Sequence, residues 1–295
     1  MNKLPVIASV SEVLSGVIRH YFQLIYVAWP AILLLLISVG GVVWIYLSAG
    51  VLDAAMTGQN PDEIKAAMER LEQGEGSPAF IFAALVASLA SAVAAVRWHR
   101  FVLLGEGANG RFEHVRFLRA EDGSYIWTTI KLFLVYLLFI LALGILVMLV
   151  AMLAGAMGGD GASETGGAGV LVVVGALVAY VAALMIVFRL MIALPDAALG
   201  RGGRVIEIFR QTHGNSWRLL GAFIVLFLVG MIAFAVSGII LALLASIGAV
   251  GMLVGGIVYA GAYLFFLMVQ ITMLSVAYRE IIGLPGTTRS PEVTA

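Results

Sequence analysis

Charge is nearly absent over long stretches of this chain and concentrated between them. From Ala79 to Val96 eighteen residues carry no charge, and the run then meets Arg97, His99 and Arg100. A helix crosses a bilayer core with about 20 mostly apolar residues. Six stretches have that length: 27–50, 79–98, 126–153, 169–188, 219–245 and 248–276. Only "ASIGAVG" (245–251) separates the last two, which predicts a tight helical hairpin. The connecting loops are too short for a second domain, so residues 1–285 read as one transmembrane domain and 286–295 as a disordered tail.

The polar boundaries repeat. "WHRFVLLGE", "FRLMIALPD" and "YREIIGLPG" align at intervals of 90 residues. Each has an aromatic (Trp98, Phe188, Tyr278), a base (His99, Arg189, Arg279), and a leucine (Leu104, Leu194, Leu284) before Gly or Pro. Two continue into an acid, Glu106 and Asp196. Self-similarity at a fixed period indicates a repeated supersecondary unit, with copies at about 9–106, 107–196 and 197–285.

A short amphipathic stretch precedes each odd-numbered span. Val10, Val13, Leu14, Val17, Ile18 and Tyr21 fall on one helical face, and Ser9 with Glu12 spells a capping box. Val205, Ile208, Phe209 and Thr212 form the corresponding stripe in the third copy, with Trp217 beyond it. The middle copy is "RFEHVRFLRAEDGSYIW" (111–127). The pattern therefore predicts an all-α polytopic membrane protein: three transmembrane hairpins, each preceded by an interfacial helix. Each even span should re-enter the headgroup zone, where Trp98 and Tyr278 and snorkelling arginines are favourable, and Pro195 and Pro285 should stop helices there. On the other face, 60–74 predicts a short amphipathic helix capped by Asn60, and 155–169 a glycine-rich loop.

Composition agrees: 62% of residues are hydrophobic and 12% charged, against roughly 25% charged in soluble domains. The absence of cysteine excludes disulfides, thiolate metal sites and cysteine nucleophiles. Net charge is zero, but its distribution is uneven. Segments 1–27, 97–131, 189–218 and 277–295 hold two, six, five and two Lys and Arg, leaving only Lys65 and Arg70 on the opposite side. The positive-inside rule then places both termini and the Arg-rich loops in the cytoplasm. The first apolar run begins too late and runs too long for a cleavable signal peptide, and "SAG" (48–50) reads as the end of the first span.

Candidate chemistry is sparse. "GEGANG" (105–110) matches a dinucleotide fingerprint but follows a transmembrane helix, so it reads as a turn. His20, His99, His114 and His213 have no helical ligand spacing, so no metal site is expected. His99, Glu106, Asp196 and Glu207 form a candidate charge cluster; the acids either pair with arginines structurally or border a phosphate-binding opening. Arg97, Arg100, Arg189, Arg204, Arg210 and Arg279 are expected to ring one face at headgroup depth and contact anionic lipid. Within the spans Gln270 is the strongly polar side chain, a helix-to-helix hydrogen bond being the commoner role. Gly175/Ala179/Ala183, Ala84/Ser88/Ala92 and Gly251/Gly255 have the spacing of close helix contacts.

The grammar of interfacial helix plus hairpin, with "RWHRFVLLGE" and "LPDAALGRGGRVIEIFRQTHGNSW" at the junctions, resembles six-span bacterial inner-membrane proteins. These are similar to the membrane domain fused in some bacteria to glycerophosphodiester phosphodiesterases. The catalytic barrel of those enzymes has no counterpart here, so the resemblance implies lipid-envelope association and no catalytic residue. Three readings follow, in order. The first is a non-enzymatic membrane protein bound to lipid or supporting a membrane partner complex. The second is a transporter or channel for a small or amphipathic solute. The third is an enzyme acting on lipid at the cytoplasmic face, using Glu106, Asp196 or a histidine as acid–base. None implies a cofactor or a nucleic acid partner.

Overall fold

A polypeptide in hydrocarbon must satisfy its backbone internally, and a chain of apolar runs does so as helices. The computed structural model describes residues 3–48, 50, 62, 65–66, 69, 76–107, 119–157 and 166–284. Within them lie α1 (Val6–Ser48), α2 (Gly76–Leu104), α3 (Ala120–Met157), α4 (Gly166–Met191), α5 (Ala193–Ala198), α6 (Val205–Gln211), α7 (Ser216–Ala245) and α8 (Ala249–Ile281). No strand occurs among the described residues. Six helical segments are long and apolar enough to cross a membrane: Val6–Tyr46, Pro78–Leu104, Ala120–Val150, Val173–Ala198, Ser216–Ala245 and Val250–Ile281. Most of the outer helix expected at 60–74, the middle amphipathic stretch at 108–118, the loop centre at 158–165, Pro285 and the tail lie outside the described residues.

Two antiparallel pairs dominate the packing. α1 runs along α2, presenting Leu24, Ala28, Ala31 and Leu35 at alternating spacings of four and three to the alanine-rich face around Ala90 and Ala94. α7 runs along α8 through the turn at Ser246–Gly248, where Gly248 adopts φ 103°. Gly255 lets the two backbones close up, since a Cβ there would lie 2.8 Å from Leu241 Cδ1 and 2.9 Å from its Cα. Gly251 is equally tight against Leu244, while Gly230 leaves room for the Phe266 ring. The other two small-residue stripes do not make the expected contacts: Gly175, Ala84 and Ser88 are exposed, and only Ala183 is buried. Their hairpins turn different faces inward, and α3 buries no residue from 129 to 150.

α1 joins the first amphipathic stretch and the first span, with a break at His20 (φ −110°, ψ 15°). The Ser9–Glu12 capping box does not form. The helix begins one turn earlier than expected, so Ser9 is buried inside it and Glu12 accepts from Arg279 instead. Pro195 does not stop a helix either. It lies in the first turn of α5, where its missing N–H has no intrahelical acceptor to lose. All six residues of α5 are buried, so this short helix plugs the arginine-rich end of the bundle.

Candidate functional site

The charged residues meet at one end of the bundle, hereafter the basic end, because antiparallel spans return there each time. Arg97 Nη2 lies 3.0 Å from Asp122 Oδ2, and the same oxygen accepts the Arg119 backbone N–H at 2.7 Å. Asp122 is 1% exposed, so α2 is tied to the start of α3 by a desolvated ion pair. Arg100 donates to both oxygens of Glu106, to Ala198 O at 3.1 Å, and lies 3.5 Å from Glu121. Those hydrogen bonds hold the Glu106 carboxyl below the ordinary carboxylate range. Arg119 approaches Glu106 at 3.3 Å.

A second network surrounds Asp196. Its Oδ1 accepts the Tyr278 hydroxyl at 2.7 Å and lies 3.4 Å from Arg204 Nη1. Arg204 also forks onto both oxygens of Glu207 at 3.0 Å, which holds Glu207 low and Arg204 high. A third set closes the chain. Arg279 pairs with Glu12 and Glu280, Leu4 N–H donates to Asn215 Oδ1 at 2.9 Å, and Arg218 donates to Leu4 O at 2.9 Å.

Six expected site residues thus join two networks: Arg97, Arg100 and Glu106 in the first, and Asp196, Arg204 and Glu207 in the second. His99 joins neither. It is fully buried rather than interfacial, with Nδ1 2.7 Å from Ser275 Oγ and its ring 5.7 Å from that of Tyr125. Trp98 and Tyr278 are likewise core residues rather than headgroup anchors, Trp98 donating to Leu24 O at 2.8 Å. Both polar tips find protein partners, which removes the reason for those rings to sit in the wet interface.

The arginines are less alike than their sequence positions. Arg97, Arg100, Arg204 and Arg279 face carboxylates. Arg189 lies over Phe209, its Cζ 3.8 Å from the ring centroid, and donates to Phe209 O and Thr212 Oγ1. Arg210 is exposed and has no ion-pair partner among the described residues. Gln270, half-buried on α8, makes no hydrogen bond among the described residues, so the helix-to-helix bond expected of it is not formed there.

Sequence reasoning missed Asp122, Glu121, Ser275, Asn215 and Arg218. The available signal was Glu121–Asp122 at the start of a span, where acids suit the positive end of the helix dipole. Among the described residues no three His, Asp or Glu side chains converge as a metal site would require. Comparison with protein-family models, curated proteins and solved structures gives no match.

Proposed function

We propose that this chain is a non-enzymatic multi-pass protein of a bacterial inner membrane, with both termini and the basic end in the cytoplasm, that associates with anionic phospholipid and supports a membrane partner. The observation that carries the reading is the surplus of cations at one end. Segments 1–27, 97–131, 189–218 and 277–295 hold fifteen of the seventeen Lys and Arg, and the carboxylates there engage only some of them. An unneutralised basic face beside six apolar spans suits an anionic leaflet, at about 1 kcal/mol per cation. The resemblance to the membrane domain of glycerophosphodiester phosphodiesterases points the same way.

The threefold unit belongs to this proposal. Its support is a shared relation: Arg189, ending the second hairpin, holds α6 ahead of the third, and Arg279, ending the third, holds the first turns of α1. The test is native mass spectrometry of protein extracted with its lipids. Phosphatidylglycerol or cardiolipin should be enriched over the bulk membrane composition; a bound pool matching the bulk would overturn the reading.

Transport of a small solute is a second reading, favoured by one observation. His99 Nε2, Asp196 Oδ2 and Thr272 Oγ1 are buried without partners among the described residues. Such atoms cost roughly 1–3 kcal/mol each unless water or a solute meets them. Solute flux into proteoliposomes that vanishes in Asp196→Asn would favour it over lipid binding. The lipid-enzyme reading has less support, because His99 and Glu106 belong to separate hydrogen-bond networks.

A further inference from the structure

Cations at the basic end fall into two sets. Arg97, Arg100, Arg119, Arg204 and Arg279 each lie within 4 Å of a carboxylate. Among the described residues, Lys3, Arg19, Lys131, Arg189, Arg201, Arg210 and Arg218 have no such partner.

Several of the second set are gathered around a single turn. Arg189, in the last turn of α4, donates through Nε to Thr212 Oγ1 at 3.3 Å. Thr212 O accepts the Asn215 N–H at 3.1 Å, Asn215 Oδ1 accepts the Leu4 N–H, and Leu4 O accepts from Arg218. A chain of hydrogen bonds with uncharged acceptors therefore links Arg189 to Arg218 across Thr212–Asn215. Arg210 and His213 are exposed on the same short segment, and exposed Lys3 precedes the clipped Leu4. Arg189 has committed Nε and Nη2, and Arg218 has committed Nη1, all to uncharged acceptors. No described carboxylate lies within 4 Å of either guanidinium, although the Phe209 ring faces that of Arg189. Ile206 and Trp217, each 70% exposed, flank the turn. An exposed tryptophan opening an apolar span beside fixed cations is the arrangement that favours a membrane interface.

We propose that this corner, formed by the end of α4, α6, the first turn of α7 and the segment at Lys3–Leu4, is the docking site for the phosphodiester headgroup of an anionic phospholipid. Arg189 and Arg218 are pre-oriented by their bonds to backbone and hydroxyl oxygens, so little side-chain freedom is lost when phosphate arrives. Arg210 and Lys3 supply long-range attraction, while Trp217 and Ile206 meet the glycerol and upper acyl region. The six-arginine ring is thereby replaced by a localised site, because four members of that ring already have carboxylate partners. The inference rests on the lipid-associated reading above.

The test uses the full chain in nanodiscs of phosphatidylcholine with graded phosphatidylglycerol, reading the number and identity of bound lipids by native mass spectrometry. Each interfacial cation is worth about a fivefold preference for anionic lipid. Arg189→Gln/Arg210→Gln/Arg218→Gln should lower the phosphatidylglycerol preference by up to about a hundredfold at low salt, less as screening grows. Lys3→Gln/Arg210→Gln removes two cations that make no internal bond, so it leaves folding intact and should lower the preference by about 25-fold. Arg204→Gln/Glu207→Gln, which removes a paired cation together with its carboxylate and leaves the net charge unchanged, should change it by less than about twofold. If the paired-position variant loses as much preference as Lys3→Gln/Arg210→Gln, the site lies elsewhere on the basic end and this inference fails while lipid association stands. If the wild-type chain shows no preference, lipid association itself fails.

Discussion

Replacing Arg97 with glutamine should be among the most destabilising single changes at the basic end. Its guanidinium is 11% exposed and its partner Asp122 is 1% exposed, at 3.0 Å. Removal leaves the Asp122 carboxylate in a desolvated site, where among the described residues the Arg119 backbone N–H still donates to it. Breaking a buried pair from one side costs about 3–5 kcal/mol, much of it the stranded charge. The exposed Arg204–Glu207 pair, with side chains 32% and 52% exposed, sets the contrast at about 0–1 kcal/mol. Asp122→Asn should cost less than Arg97→Gln, about 2 kcal/mol, because the stranded arginine can extend its long stem toward water. Thermal unfolding in detergent then separates the cases. At roughly 2–4 °C per kcal/mol, Arg97→Gln should lower the midpoint by about 6–20 °C and Glu207→Gln by about 4 °C at most. The double variant should be milder than the sum of the singles by about 2 kcal/mol. A midpoint for Arg97→Gln within about 2 °C of wild type, with additive behaviour in the double variant, would refute the tie between α2 and α3.

Glu106 offers a pH test. Its carboxyl is held low mainly by the Arg100 hydrogen bonds, against an ordinary value of 4.5. A depressed folded-state value contributes stability that is present above the ordinary value and lost as pH falls through the lower one. Wild type should therefore lose stability below about pH 4.5 by up to about 1 kcal/mol more than Glu106→Gln; parallel curves would remove Glu106 from the account. Gly230→Ala would drive a methyl into the Phe266 ring and should cost about 1–3 kcal/mol, with Phe266→Leu restoring part of it; an unperturbed midpoint would place the α7–α8 contact elsewhere. The native chain has no cysteine, so Lys65→Cys and Ala162→Cys should react with impermeant reagent from outside the cell, and His114→Cys and Glu207→Cys only from inside. The reverse pattern would overturn the orientation.

The spans were legible because apolar length alone specifies them in hydrocarbon. The first amphipathic stretch and the first span run on as one helix, interrupted at the single non-helical residue His20. Partner choice was not legible. Arg100 and Ala198 are 98 residues apart, and Arg279 and Glu12 are 267 apart; polarity says that such residues share an end, not which of them touch. His99 was placed with its charged neighbours because sequence adjacency hides helical phase. At about 100° per residue, Arg97 and Arg100 fall on one side of α2 while His99 falls well away from both. That phase turns His99 toward Ser275 and leaves the two arginines facing Asp122, Glu106 and Glu121. The small-residue stripes failed for a related reason. Spacing of four marks a helix able to approach closely, but α4 turns Gly175 outward, and only the α7–α8 hairpin uses its glycines.

These features locate the determinants of the fold. Polar ties between successive hairpins lie at the basic end: Arg97 to Asp122, Arg189 to Thr212, and Arg279 to Glu12, with Leu4 clipped between Asn215 and Arg218. Toward the opposite end α3 buries nothing over 129–150, and van der Waals contact in lipid distinguishes little between a neighbouring helix and an acyl chain. Among the described residues the polar ties between hairpins thus gather at the basic end, where α5 is buried. A phosphate seated on Arg189 and Arg218 would act on the clip that joins the chain's first residues to α7. Binding only the closed form, it would add stability as RT ln(1 + [L]/Kd), about 2.7 kcal/mol at a hundredfold excess over Kd. If anionic lipid binds this corner as proposed, its binding is coupled to the Leu4 clip, and stripping the lipid should release that clip before it separates α1 from α2.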